Sequence, residues 1–270
     1  MASAEDNTEL TSIGSDDVDH RIAFLVVVFS VVFFRISNLI VAKFIEPPPS
    51  AINDPWRWRN LFVSWIHAIL CGCWDIICFA VYPEMFDDLS AHINYFTYTL
   101  VAFSTGYFTY DVLDMYFNNR LLHDWGVTLH HLIVLIFFVY NIQTKYAIEL
   151  TCVALLVEVN GMFLHARKLM QIFQYGFEHK MYIVNKYTNL ITFVVCRGYP
   201  IEMMEDPAAH INVYTYNTLA FSTGYFIYDS LELFFSNRLL QDWGVTLHHI
   251  IDEYDKITSS MIRTLTAYAT

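Results

Sequence analysis

"FSTGYFTYDVLDMYFNNRLLHDWGVTLHHL" occupies residues 103–132, and "FSTGYFIYDSLELFFSNRLLQDWGVTLHHI" repeats it at 221–250, 118 positions further on. Each copy carries an aromatic, mostly apolar run, then a polar "N-R-L-L" turn, then a second apolar run that opens on "WGVTLHH". The first copy continues into "IVLIFFVYN" (133–141) and so completes its second run. The second meets "IDEYDKITSS" (251–260) after only a few apolar residues. At 1.5 Å per residue such a stub covers about half of a ~30 Å hydrocarbon core, so only the first copy makes a pair of complete spans.

Outward from this stretch the same texture recurs. Of the 270 residues 56% are hydrophobic and 17% aromatic, above the ~45–50% apolar share of soluble domains. The apolar residues fall into blocks at 22–45, 61–81, 95–117, 125–140, 146–165 and 182–197, with a seventh at 213–235 from the second copy. Blocks of this length predict an all-α, polytopic transmembrane bundle of six to seven spans. "EPPPS" (46–50) and Tyr82-Pro83 break the chain between the first blocks. Residues 1–20 form an acidic tail without the basic start of a cleavable signal, 21–198 the membrane domain, 199–251 a partial duplicate of 82–133 and 252–270 a polar tail. Arg57, Arg59, Arg120, Arg167, Lys168, Lys180 and Arg238 gather after the odd-numbered blocks, which sets the N-terminus away from the cytosol.

The net charge of −12, with no basic stripe, excludes nucleic acid as a partner. The five cysteines, Cys71, Cys73, Cys78, Cys152 and Cys196, lie within apolar blocks and read as buried free thiols. No metal site is expected: only the two His doublets cluster, and the spacing that a di-iron centre requires is absent.

Ionisable residues inside a span cost a few kcal/mol each and face the bundle interior. Asp111 and Asp114 share one face of the third block. His130 and His131 are adjacent on the fourth, about 100° apart. Glu149, Glu158, Asn160 and His165 lie along the fifth, Glu158 and His165 again on one face. Together they predict a polar lipid cavity between blocks three, four and five. Asp111 and Asp114 are equally readable as an interfacial cluster meeting Arg120, and the His doublet as interhelical glue. His67 and Asp75 on the second block read as packing polars.

"RWRNLFVSWIHAILCGCWDIICFAVYPEMFDDL" (57–89), "STGYFTYDVLDM" (104–115), "WGVTLHHLIVL" (125–135), "ALLVEVNGMFLHARKLM" (154–170) and "VNKYTNLITFVVCRG" (184–198) together resemble the TLC-domain family, on its branch of TLC domain-containing proteins one and two. That branch implies control of phospholipid acyl composition and fluidity at the plasma membrane, with the endoplasmic reticulum as the second location. It implies membrane lipids, and possible lipid-remodelling enzymes, as partners, and no cofactor. The more distant ceramide synthases imply the alternative, an acyl-CoA-dependent N-acyltransferase using His130 and His131. Against their His-Asp-x-x-Asp motif, anchored on Leu164 and Lys168, this chain has Val157, Glu158 and Gly161. Only Glu158 is then left to orient a catalytic histidine. The resemblance ends near Gly198, where a local duplication or an unusual splice accounts for the return to a second copy whose doublet, His248 and His249, lacks a full span.

Overall fold

The computed structural model of the chain describes residues 18–86 and 93–203, all within one unit, Met1–Leu219. The tail before residue 18, the second copy with its seventh block and the segment from 252 lie outside the described residues. The described elements are α1 (His20–Phe44), α2 (Pro55–Val81), α3 (Tyr95–Phe117), α4 (Trp125–Thr144), α5 (Ile148–Leu155), α6 (Val157–Ile172) and α7 (Lys180–Met203), with 3-10 turns at Pro49–Ala51 and Pro83–Phe86. No strand occurs among the described residues. The fold is an all-helical membrane bundle, with a helix on each of the first six expected blocks.

Local chemistry fixes the helix ends. Asp19, Asp54 and Asn94 accept from backbone N–H groups of the first turns of α1, α2 and α3, and Pro55 occupies the first position of α2, where a missing N–H costs nothing. α3 ends with Asn119 at φ 57°, and Arg120 N–H reaches back to the Met115 carbonyl at 2.8 Å. α6 ends the same way at Gln174, φ 58°, with Tyr175 N–H on Met170 at 3.0 Å. Both are left-handed caps that satisfy carbonyls otherwise left open, built without glycine.

α1, α2, α4 and the stretch Ile148–Ile172 are long and apolar enough to cross a membrane. α1 turns Ala23, Ser30, Phe34, Asn38 and Val41 inward and leaves Phe24, Leu25, Phe29, Val32, Ile36 and Ile40 exposed, an apolar outer face suited to lipid tails. α3 is the centre: α1 and α4 pack on it, while α2 packs chiefly on α6 and α6 on α7. Fifteen of the 23 residues of α3 are buried, which is why it carries Ser, Thr, Tyr and Asp that a lipid-facing helix could not.

Two seams bring backbones close. Between α1 and α3, a Cβ on Gly106 would overlap Ser30 and sit 2.6 Å from the Val27 carbonyl oxygen. Between α2 and α6, a Cβ on Gly72 would lie 3.1 Å from the backbone nitrogen of Val159, and one on Gly161 would lie 3.4 Å from Ala68. Ala68 and Gly72 form a small-xxx-small pair that lets two membrane helices approach. The block expected to be one helix over 146–165 is interrupted: at Leu156 the ladder tightens to i→i−3 bonds, Leu156 N–H on Val153 at 3.3 Å and Val159 N–H on Leu156 at 3.1 Å. α6 therefore starts inside the bundle, with Glu158 in its first turn, where the helix dipole favours a carboxylate.

The cysteine expectation needs one correction. All five thiols are free, but Cys73 is exposed: two residues past Cys71, it falls on the outer face of α2.

Candidate functional site

Helices α2 and α3 run antiparallel, so residues whose numbers sum to about 171 meet. Trp56 Nε1 donates to Asp114 at 2.8 Å, Asn60 donates to Asp111 at 2.6 Å, Tyr107 Oη donates to Ser64 at 2.9 Å, and His67 Nε2 lies 3.1 Å from Ser104 Oγ. This ladder sets the polar side of α2 against the centre of the bundle.

α4 adds His131, whose Nδ1 is 2.7 Å from Asp111 Oδ2. A carboxylate only accepts, so Nδ1 carries the hydrogen and Nε2 is the nitrogen with a free lone pair in the neutral ring. Asn60 holds the other oxygen of Asp111, and the dyad is fixed from two helices. α6 adds Glu158, whose Oε2 is 3.6 Å from His67 Nδ1. His67 is buried, and its ring is stacked on Tyr107 with centroids 3.8 Å apart and planes 12° apart. His165 lies within electrostatic reach of Lys168, Glu158, His67 and His131.

The predicted residues therefore divide. Asp111 and His131 meet directly, while Glu158 pairs with His67 and His165 lies within electrostatic reach of Glu158 and His131. His130 is half-buried beside His131, ring centroids 5.5 Å apart. Asn160 points elsewhere: its amide donates to the Asn189 carbonyl at 2.9 Å and lies 3.2 Å from Thr192 Oγ1, tying α6 to α7. Asp114 belongs to the helix-end cluster, with Trp56 and, at 3.9 Å, Arg35. Arg120 does not meet Asp114 but pairs with Asp54 at 2.6 Å and lies over the Trp56 ring at 4.7 Å. The orienting carboxylate of His131 is Asp111 on α3, whereas Glu158 is engaged with His67. The sequence reading missed Asn60, Ser64 and Tyr107 and set His67 aside. The missed signal is the recurrence of polar residues on α2 at 60, 64, 67, 71, 75 and 78, a three-to-four spacing that marks one helix face.

A bundle of apolar helices around a His–carboxylate network buried at the centre defines an integral membrane protein with a polar intramembrane site. The TLC domain pattern matches residues 57–204, and the chain belongs to the TLC domain family. It is 36% identical over 168 residues to a TLC domain-containing protein 2 of Danio rerio, covering 62% of this chain and 68% of that one. It is 34% identical over 158 residues to a TLC domain-containing protein 1 of Gallus gallus, covering 57% of this chain and 62% of that one. With a human TLC domain-containing protein 1 the identity is 34% over 145 residues, 54% of this chain and 58% of that one. The chain thus spans roughly three-fifths to two-thirds of these relatives. No solved structure matches it.

Proposed function

We propose that this chain regulates the acyl composition of membrane phospholipids, and with it membrane fluidity, by holding a lipid at the buried site, and that it acts at the plasma membrane. One observation supports the reading above the others: the Asp111–His131 pair at 2.7 Å, buried within a family bundle whose outer faces are apolar. A fixed polar pair deep among apolar helices can orient a lipid headgroup or ester while the chains lie along the helices. His131→Ala is expected to abolish rescue of a membrane-fluidity defect in cells lacking the protein, and lipidomics is expected to show altered acyl unsaturation with ceramide synthesis unchanged. Unaltered unsaturation in those cells would sink the reading.

The same pair favours a second reading, an N-acyltransferase that takes acyl-CoA, because a histidine oriented by a carboxylate is what a base or nucleophile requires. Loss of N-acylation in those cells, with unsaturation preserved, would select it.

A further inference from the structure

Asp75 is fully buried on α2, and neither carboxylate oxygen has a hydrogen-bond partner. An unpartnered carboxyl at the centre of a membrane bundle is among the costliest groups a fold can keep. The proposed lipid site makes no use of it. The groups within electrostatic reach are Cys78 from its own helix, Glu158 from α6 and Glu149 from α5, with Cys71 and Cys152 also facing it. None of these is a cation.

Asp75 continues the polar face of α2. From Asn60 to Cys78 that face runs 18 residues, about 27 Å at 1.5 Å per residue, against a hydrocarbon core of ~30 Å. Its members meet polar partners in sequence. Asn60 binds Asp111, Ser64 meets Tyr107, and His67 meets Ser104 and Glu158. Cys71 lies in reach of both Glu158 and Asp75. Beyond Asp75 the next acidic group within electrostatic reach is Glu149, which accepts from Thr97 Oγ1 at 3.0 Å. Among the described residues no three His, Cys, Asp or Glu converge as metal ligands. The groups are strung along the axis, which suits hopping between sites.

We infer that the polar face of α2, with Asp75 one turn from its far end, is a proton-transfer file through the bundle, linking the Asp111–His131 end to Glu149. The proton is the ligand small enough to meet Asp75 without displacing a neighbour. In each hop an O–H, N–H or S–H bond breaks on one group and forms on the next: imidazolium or carboxylic acid gives its proton to a carboxylate or a neutral imidazole, and an intervening hydroxyl or thiol, as at Ser64, Tyr107 and Cys71, takes one proton while releasing its own. The proton is conserved along the file, and no oxidant or reductant takes part. Chains of Asp, Glu and His within spans serve this role in pumps and transporters.

The test uses the full chain, purified and reconstituted in phosphatidylcholine vesicles that contain a pH-sensitive dye, with a potassium gradient and valinomycin setting the membrane potential. The wild-type chain is expected to acidify the lumen faster than protein-free vesicles. Asp75→Asn, close in shape and unable to exchange a proton, is expected to lose that flux to the protein-free level, and Asp75→Glu is expected to restore it. A matching melting temperature for the Asn variant in detergent ties the loss to proton exchange. Should that variant fail to fold, Glu158→Gln is read in its place, with the same loss expected. A wild-type flux equal to protein-free vesicles, or an undiminished flux in Asp75→Asn, overturns the inference and leaves the lipid assays of the preceding section unaffected.

Discussion

The two close seams of the bundle are built alike and filled differently. Where α1 meets α3, Gly106 receives Ser30, and around it lie Phe33, Phe34, Phe103 and Tyr107 with ring centroids 5.0 to 6.0 Å apart. Around the glycine its polar contacts are single bonds, Ser30 Oγ–H to the Phe103 carbonyl at 2.6 Å and Asn38 to Tyr110 at 2.6 Å, with the ionisable groups Arg35 and His20 meeting α3 only toward its two ends, at Asp114 and Tyr98. Where α2 meets α6, Ala68, Gly72 and Gly161 make the approach, yet His67 and Glu158 flank it. The first seam is closed by aromatic packing, which rewards a fixed distance. The second places ionisable groups where their separation governs their chemistry. Small residues serve adhesion in one seam and positioning in the other.

Breaking the packed seam is expected to have the largest effect. Gly106→Val forces α1 away from α3, because the added carbon meets Ser30 and the backbone of Val27. The expected loss is about 3 kcal/mol, the upper end for overpacking, read as thermal unfolding in detergent.

Asp111→Ala comes next. It leaves the Asn60 amide and the His131 Nδ1–H without their acceptor, at a cost of about 2 kcal/mol. Rescue of the fluidity defect is expected to disappear in this variant and to survive in part in Asp111→Asn, which keeps an accepting oxygen.

Gly72→Ala sharpens the contrast between the seams. Its added carbon presses on Val159 at 3.1 Å without overlapping it. About 1 kcal/mol of destabilisation is expected, together with a loss of function larger than that figure accounts for, since Glu158 shifts relative to His67. Destabilisation equal to that of Gly106→Val would erase the distinction.

The smallest effect belongs to Asn160→Ala. Removing one interhelical amide between α6 and α7 costs about 0.6 kcal/mol, and the lipid phenotype is expected to stay unchanged in a cell-based rescue.

Hydropathy blocks made the helices legible. The third block at 95–117 coincides with α3, and the first at 22–45 lies within two residues of α1. The break at Leu156 was not readable, because "ALLVEV" contains neither Pro nor Gly. Asp111 and His131 were each visible as ionisable groups within spans, but their pairing depends on the register of α3 against α4, which no local pattern encodes. His67 and Asp75 were weighed singly and so looked like isolated packing polars. Taken with Asn60, Ser64, Cys71 and Cys78, they trace one face of α2, and that stripe was present in the sequence. The same helical arithmetic puts Cys73 on the opposite side.

The link between α4 and α5 is three residues long, with Lys145 and Ala147 held at φ 54° and 56°. Asn141 donates across it to Thr151 at 2.7 Å. So short a link leaves no room for a folded segment between the two helices, so during biogenesis they enter the bilayer as a single hairpin. Glu149, which accepts from Thr97 of α3 in the finished bundle, then enters on a helix that already has a partner. Lengthening the link with a flexible spacer is expected to lower the yield of correctly inserted chain, scored by glycosylation reporters placed on either side of the pair.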